Sequence, residues 1–316
     1  MPQTNAARVL LTNPIHRLAQ ARLSDLVDLV VAPDTQADTL RKLAADCDAL
    51  VVRSHLPEDI FQAAPRIRYV VRHGVGLDMV PMAAAQQSQV VVANLPASNT
   101  QAVIEYVVAA MFALRRNIVQ IDAVMRRDGW DTAKPLSNEC IELGGNTLGI
   151  VGYGSIGQRL AQIAQVLGMD VVVHTRRPQT VTNPAVVVDL VTLMQSADVI
   201  VLACPLTEQT HHLIDASALA NTKSSALLIN VARGPVVDTP SLVAALMAGR
   251  LAGAALDVHE NAPLSGREKL FSCPNVLLTP HLAGNTATSL SQMSQWAVDT
   301  LLALLAGDRP SNVVSP

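Results

Sequence analysis

The stretch from Thr147 to Arg177, TLGIVGYGSIGQRLAQIAQVLGMDVVVHTRR, constrains the chain more than any other. An apolar run at 148–151 leads straight into Gly152-Tyr153-Gly154-Ser155-Ile156-Gly157. A helical pattern follows, with Ile156, Leu160, Ile163, Ala164 and Leu167 on one face, before Gly168 stops it and 171–173 resumes as a strand. Strand, Gly-x-Gly-x-x-Gly, helix, strand is the dinucleotide-binding unit. Gly152 allows the tight turn, Gly154 lets the backbone approach a pyrophosphate, and Gly157 lets helix and strand pack closely. The amides of Ser155 and Ile156, at the helix start, then face the anion.

An NAD-specific unit closes its second strand with an acid that accepts from the ribose 2′-hydroxyl. Here the strand ends His174-Thr175-Arg176-Arg177. Two guanidinium groups and a hydroxyl suit a 2′-phosphate, which takes charged, bidentate donors. The cofactor expected from these residues is NADP, with NAD possible. The other reading of Arg176 and Arg177 is a solvated loop.

The rest of the chain limits what such a unit can serve. With 316 residues there is room for two ordinary domains. A net charge of −3 and 3% aromatic residues offer neither a basic footprint nor stacking platforms for nucleic acid. The longest apolar candidate for a span, 103–114, carries Glu105, so no membrane is expected. Cys47, Cys140, Cys204 and Cys273 lie far apart without metal-ligand spacing. They read as thiols of a reducing compartment; no metal is expected, and the localisation expected is cytoplasmic.

Taken in order, 9–11, 49–52, 69–71 and 90–93 read as strands, alternating with helical spacing at 18–26, 39–45 and 59–64. That alternation predicts a parallel sheet covered on both faces. One long helix is expected from Ser98 or Asn99, through Val103, Val107, Met111, Leu114 and Ile118, towards Arg127. Beyond the nucleotide unit, strands are expected at 199–203, 226–230, 251–256 and 276–278, with helices at 189–195, 240–247 and 288–305. The expected domains are 99–285 for the dinucleotide and 1–98 plus 286–316 for the substrate.

In an open α/β sheet, side chains at the carboxyl ends of strands face the ligand crevice. Arg233, Asp257 and His281 each follow such a strand. Singly, Arg233 also reads as a surface ion-pair partner and His281 as an interior histidine. Together, beside a nucleotide fingerprint, they point to a reaction site. Arg53-Ser54-His55 and Arg72-His73-Gly74-Val75-Gly76-Leu77-Asp78 follow strands of the first domain, as carboxylate-binding loops or as ordinary turns.

With these residues placed, the whole chain resembles the D-isomer-specific 2-hydroxyacid dehydrogenases. The resemblance runs through VRS at 52–54, HGVGLD at 73–78, GYGSIG at 152–157, CPLT at 204–207, NVARGPVVD at 230–238, GAALDV at 253–258 and TPHLAGNT at 279–286. It implies two doubly wound parallel-sheet α/β domains, a Rossmann-type cofactor domain inserted in a flavodoxin-like substrate domain, and a homodimer. It implies that Arg233 clamps a small 2-oxo or 2-hydroxy acid, that His281 is the acid/base group, and that the amides of Val75 and Gly76 hold the substrate carboxylate, with Arg53 and Ser54 among the substrate-binding residues. Cys204, Pro205, Thr210, Val231 and Asp257 are implied to contact the cofactor. The Thr-Arg-Arg ending looks like that of the NADPH-preferring glyoxylate and hydroxypyruvate reductases.

The chain departs from that family where DVF, two residues and Glu-Pro are usual. It reads Asp257-Val258-His259-Glu260-Asn261-Ala262-Pro263, with His259 for Phe and Ala262 for the Glu that pairs with the catalytic His. Glu260 is therefore an alternative catalytic carboxylate. The reaction expected is hydride transfer between NADP(H) and a glyoxylate- or hydroxypyruvate-type acid. The alternatives are a catalytically weakened NADP(H)-sensing protein and a dehydrogenase of a bulkier 2-hydroxy acid.

Overall fold

In a computed structural model describing residues 6–314, the chain divides into two compact units. One runs up to Asn99 and resumes at Asn285; the other is the contiguous stretch Thr100–Gly284.

The first unit begins β1 (Arg8–Leu11), α1 (Arg17–Ser24), β2 (Asp28–Val31), α2 (Ala37–Ala44), β3 (Ala49–Val52), α3 (Ile60–Ala63), β4 (Tyr69–Arg72), α4 (Met82–Gln87) and β5 (Val91–Ala93). The second unit opens with α5 (Thr100–Arg115), α6 (Ile118–Asp128) and α7 (Trp130–Ala133). It continues through β6 (Thr147–Val151), α8 (Ser155–Val166), β7 (Asp170–His174), β8 (Ala185–Val187), α9 (Leu190–Ser196) and β9 (Val199–Leu202). It closes with α10 (Ala216–Ala220), β10 (Leu227–Asn230), α11 (Thr239–Met247), β11 (Gly253–Leu256) and β12 (Val276–Leu278). The chain then returns to the first unit as α12 (Ala287–Ala306).

All strand pairs are parallel. The five-stranded sheet has the order β2-β1-β3-β4-β5, the doubly wound flavodoxin-like arrangement. The seven-stranded sheet has the order β12-β11-β10-β9-β6-β7-β8, the Rossmann arrangement with one further strand. Every residue of β3, β9, β10 and β11 is buried, which is why these strands read as apolar runs, broken only where Asn230 closes β10.

The long helix expected from Ser98 or Asn99 towards Arg127 is two helices. Asn117 adopts the left-handed conformation (φ 48°), which Asn tolerates better than most residues, and this ends α5 before α6 begins. The Ser98 hydroxyl donates to the Leu95 carbonyl, and the helix starts at Thr100. Val103, Val107, Met111 and Leu114 are buried in the unit's own core, whereas α6 buries no residue. β2, β8, α4, α7 and α10 are additional to the elements expected. Each is short, and β2 and β8 lie at the edges of their sheets.

α12 starts at a reciprocal Thr286–Ser289 capping box and ends at Gly307 in the left-handed region (φ 93°). Its Met293, Ala297, Val298, Leu301 and Leu304 pack with Val9, Leu11, Val51 and Val71 from the sheet of the first unit. Among the described residues, no helix is long and apolar enough to cross a membrane, and no group of His, Cys, Asp and Glu is placed to hold a metal ion.

Candidate active site

At the carboxyl end of β6, two glycines are required by the packing of the chain itself. Gly152 has φ +99°, and a Cβ there would lie 2.8 Å from the carbonyl oxygen of Ala203, just past β9, the strand beside β6 at which the sheet order reverses. A Cβ on Gly157 would lie 2.3 Å from the Gly152 carbonyl oxygen, so helix α8 packs on the turn only without one. Gly154 differs: nothing lies within 4 Å of where its Cβ would be. Gly154 caps α8 without a side-chain bond, so its lack of Cβ leaves the approach to the helix N-terminus open to another molecule. The Thr100 hydroxyl donates to Ser155 Oγ at 3.1 Å, tying the start of α5 to the start of α8.

Beyond β7, the Arg177 amide donates to Thr175 Oγ1 at 3.2 Å, and Arg176 and Arg177 are exposed. Burial pushes the Cys204 thiol up, while the nearby Arg176 guanidinium pulls the other way. Arg176 and the Cys204-Pro205 loop therefore share one end of the sheet. That loop is shaped by the buried Thr210, whose hydroxyl meets the Pro205 carbonyl at 2.7 Å and accepts from the Thr207 amide at 2.7 Å. The Val231 amide donates to the Leu202 carbonyl at 3.2 Å, holding the start of the next loop.

Arg233, Asp257 and His281 follow three neighbouring strands, β10, β11 and β12. The Arg233 loop is bracketed by Asn230, whose side chain accepts from the Ala232 amide and donates to the Arg233 carbonyl. Arg233 Nη1 donates to the Ala232 carbonyl at 2.6 Å. Behind it, a Cβ on Gly234 would lie 2.0 Å from the His259 carbonyl carbon and 2.3 Å from the Glu260 amide nitrogen, so this loop and the one after β11 touch backbone to backbone.

Asp257, 2% exposed, holds the His281 turn. Its carboxylate accepts from the Thr279 hydroxyl at 2.7 Å and from the Leu282 and Ala283 amides at 2.8 Å each, and its carbonyl accepts from the His281 amide at 2.7 Å. His281 itself is left-handed, φ +57°, an uncommon conformation for a residue with a Cβ. Tyr106 on α5 meets Thr279 Oγ1 at 2.7 Å, and His259 Nε2 meets the Thr279 carbonyl at 2.9 Å. Ala262 is exposed. Glu260 takes His212 Nε2 at 2.6 Å and the Thr239 amide at 3.2 Å. His212, Tyr106, Asn230 and His259 were not among the sequence candidates. Asn230, a polar residue closing a buried strand, was the one with a visible signal.

In the first unit, Arg53 and Ser54 follow β3, and Val75 and Gly76 follow β4. The Arg53 amide donates to Thr12 Oγ1 at 2.9 Å, its guanidinium donates to the Pro14 carbonyl, and burial lowers its pKa. Ser54 Oγ is buried without a hydrogen-bond partner. The Val75 and Gly76 carbonyls accept from Asn94 Nδ2 and Arg72 Nε. His73, beside them, is buried, and its Nε2 lies 2.9 Å from Ser294 Oγ. Ser294 already donates to the Leu290 carbonyl, so the imidazole Nε2–H donates to Ser294.

Residues 108–283, more than half of the chain, match the family model described as D-isomer specific 2-hydroxyacid dehydrogenase, NAD binding domain. The chain belongs to the D-isomer-specific 2-hydroxyacid dehydrogenase family. Within that family it is similar to a glyoxylate reductase from Aeropyrum pernix, 34% identical over 323 residues that cover 98% of this chain and 96% of the relative. A hydroxypyruvate reductase from Thermotoga maritima is 33% identical over 285 residues, covering 89% and 92%. The solved structure of an NADPH-dependent glyoxylate/hydroxypyruvate reductase from Sinorhizobium meliloti, in complex with NADP and malonate, superposes with a TM-score of 0.90. That structure is 30% identical, and the match covers 98% of this chain and 97% of the other. The dehydrogenase fold of two parallel-sheet α/β domains is common to both.

Proposed function

We propose that this dehydrogenase transfers a hydride between NADP(H) and a small 2-oxo or 2-hydroxy acid of the glyoxylate or hydroxypyruvate type. The observation that carries the reading is the alignment of Arg233, Asp257 and His281 at the ends of three adjacent strands, in the same unit as the glycine cradle. The names of the relatives agree with it.

The cofactor, when bound, supplies or takes the hydride. Gly154 and the amides of Ser155 and Ile156 hold its pyrophosphate, and Thr175, Arg176 and Arg177 hold the 2′-phosphate. Without an acid at this strand end, NAD binds more weakly than NADP. Cys204, Pro205, Thr210, Val231 and Asp257 shape the rest of the cofactor site. Arg233 fixes the substrate carboxylate and polarises its carbonyl, a task for a planar, bidentate cation. His281 gives a proton to the developing alkoxide on reduction and removes it on oxidation. Arg53, Ser54 and the amides of Val75 and Gly76 hold the carboxylate, which makes residues 1–98 with 286–316 the substrate-binding domain.

The same reading includes a homodimer in the cytoplasm. α6 carries the surface for pairing: Ile118, Val119 and Met125 are exposed, as is Trp130 just beyond it. Four cysteines without a disulfide suit a reducing compartment. A second reading, an NADP(H) sensor with little turnover, draws on Ala262 and on the pairing of Glu260 with His212. Loss of NADPH absorbance with glyoxylate, hydroxypyruvate and phenylpyruvate separates the two. Tight NADPH binding with no oxidation of NADPH by any of the three acids overturns the enzyme.

A further inference from the structure

The turn that bears His281 is held at Thr279 from three directions, and the direction of each proton can be worked out. A carboxylate only accepts, so the single Thr279 hydroxyl proton goes to Asp257 Oδ1, 2.7 Å away. Tyr106 must then donate to Thr279 Oγ1 at 2.7 Å. On the backbone side, the Thr279 carbonyl also only accepts. His259 therefore carries its proton on Nε2, which lies 2.9 Å from that oxygen. Its Nδ1 is buried without a hydrogen-bond partner, so the ring's one hydrogen bond in the structure is the one to Thr279.

The same carbonyl receives the His281 amide at 3.1 Å. His259 and His281 thus share one acceptor, and the peptide plane between Thr279 and Pro280 is fixed by both. Tilting that plane swings His281, whose left-handed backbone (φ +57°) persists only where its surroundings enforce it. A phenyl ring at position 259 would fill the space but has no N–H to give.

We propose that His259 is a positioning residue that fixes the aim of His281 through the Thr279 carbonyl. The proposal rests on the reading of His281 as the acid/base group. It assigns the half-buried imidazole a task that Asp257 and Tyr106, which act on the Thr279 side chain, leave open: the orientation of the carbonyl.

The test compares His259→Phe, His259→Gln and His259→Asn in the full chain. A Gln amide places its N–H where Nε2 sits, and an Asn amide, one carbon shorter, places it at Nδ1, out of reach of Thr279. The Phe and Asn variants lower kcat about three- to tenfold, the worth of one neutral hydrogen bond felt in the transition state. KM for the 2-oxo acid stays within about twofold, since substrate binding is untouched. The Gln variant keeps kcat within about twofold of the parent. In the cofactor-free protein, NMR of 15N-labelled histidine rings shows one sharp His281 set for the parent and Gln forms, and broadened or doubled signals for Phe and Asn. Parent-like kcat and ring signals in the Phe variant overturn the proposal, as does a Gln variant no better than Asn. If Phe fails to fold, the Gln and Asn pair decides. If the parent reduces no 2-oxo acid, the reading of His281 falls, and the ring signals alone still decide whether His259 positions it.

Discussion

Glu260 grips His212: its Oε1 lies 2.6 Å from the imidazole Nε2, while its Oε2 takes the Thr239 amide at 3.2 Å. The bonds join the loop after β9, the start of α11 and the segment after β11. Burial alone would raise the Glu260 pKa, but hydrogen bonds from His212 and Thr239 outweigh it and the net shift is downward. A depressed carboxyl stabilises the fold above its ordinary value of 4.5, and that contribution is lost as the pH falls below it. We expect Glu260→Gln to cost about 1–2 kcal/mol at pH 7, the low end for a charged bond because His212 is partly exposed. That is about 2–8 °C in Tm by calorimetry. Turnover stays within about threefold. A Gln variant with unchanged Tm and no turnover would instead make Glu260 the partner of His281.

His73 gives the first unit its own pH dependence. Burial, with the Arg53 and Arg72 guanidiniums adding to it, pushes this imidazole from 6.5 down to about 3. Between those values the unfolded chain binds a proton that the folded one does not, so stability falls as the pH drops below 6.5. From pH 6.5 to pH 5 the loss is about 2 kcal/mol at about 1.36 kcal/mol per unit. His73→Gln, which keeps the donor to Ser294, removes most of this dependence. Urea titrations at pH 5 and 7.5, followed by Trp296 in a Trp130→Phe background, measure it; equal pH dependence in the two proteins refutes the assignment.

Arg176→Ala separates the two cofactors. A charge-assisted bond to phosphate is worth roughly 1.5–3 kcal/mol, about ten- to a hundredfold in affinity. NADPH binding weakens by that factor in a fluorescence titration, and NADH binding moves by less than about twofold. Equal affinities for the two cofactors in the unsubstituted chain would dispose of the preference altogether.

Ala262→Glu places a carboxylate at the position where the resemblance leads one to expect it. A carboxylate beside an imidazole favours the charged ring, the form that reduction needs. We expect kcat/KM for reduction to rise about tenfold, equivalent to about 1.4 kcal/mol in the barrier. The alkaline limit of the pH–rate profile moves upward. A profile that stays where it was, with an unchanged rate, shows that position 262 does not reach His281.

Much of this was written in local spacing. The glycine fingerprint, the fully apolar strands and the polar residues closing β10, β11 and β12 all lie within runs of a few residues, where periodicity and turn chemistry act. The break at Asn117 did not show, because the apolar pattern of α5 continues past it and only a left-handed backbone ends the helix. The grip of Glu260 on His212 spans 48 positions and joins loops with no shared pattern. The bond from His259 to Thr279 spans 20, and nothing in either residue type announces it. Pairings of that kind come from how the loops meet above the sheet, which no short window contains.

The return of the chain to its first unit has a consequence for synthesis. Val9, Leu11, Val51 and Val71 are made early, yet their cover, α12, begins only at Ala287. At about 5–20 residues per second, the ribosome takes about 10–40 s to travel from Asn99 to that helix. During that time the central unit, one unbroken stretch, emerges whole and can close around its own core. The older segment waits with its apolar sheet face covered only in part, by Ala19 and Leu23 of α1, so it is the first-made part of the chain that finishes last and that offers chaperones their longest hold.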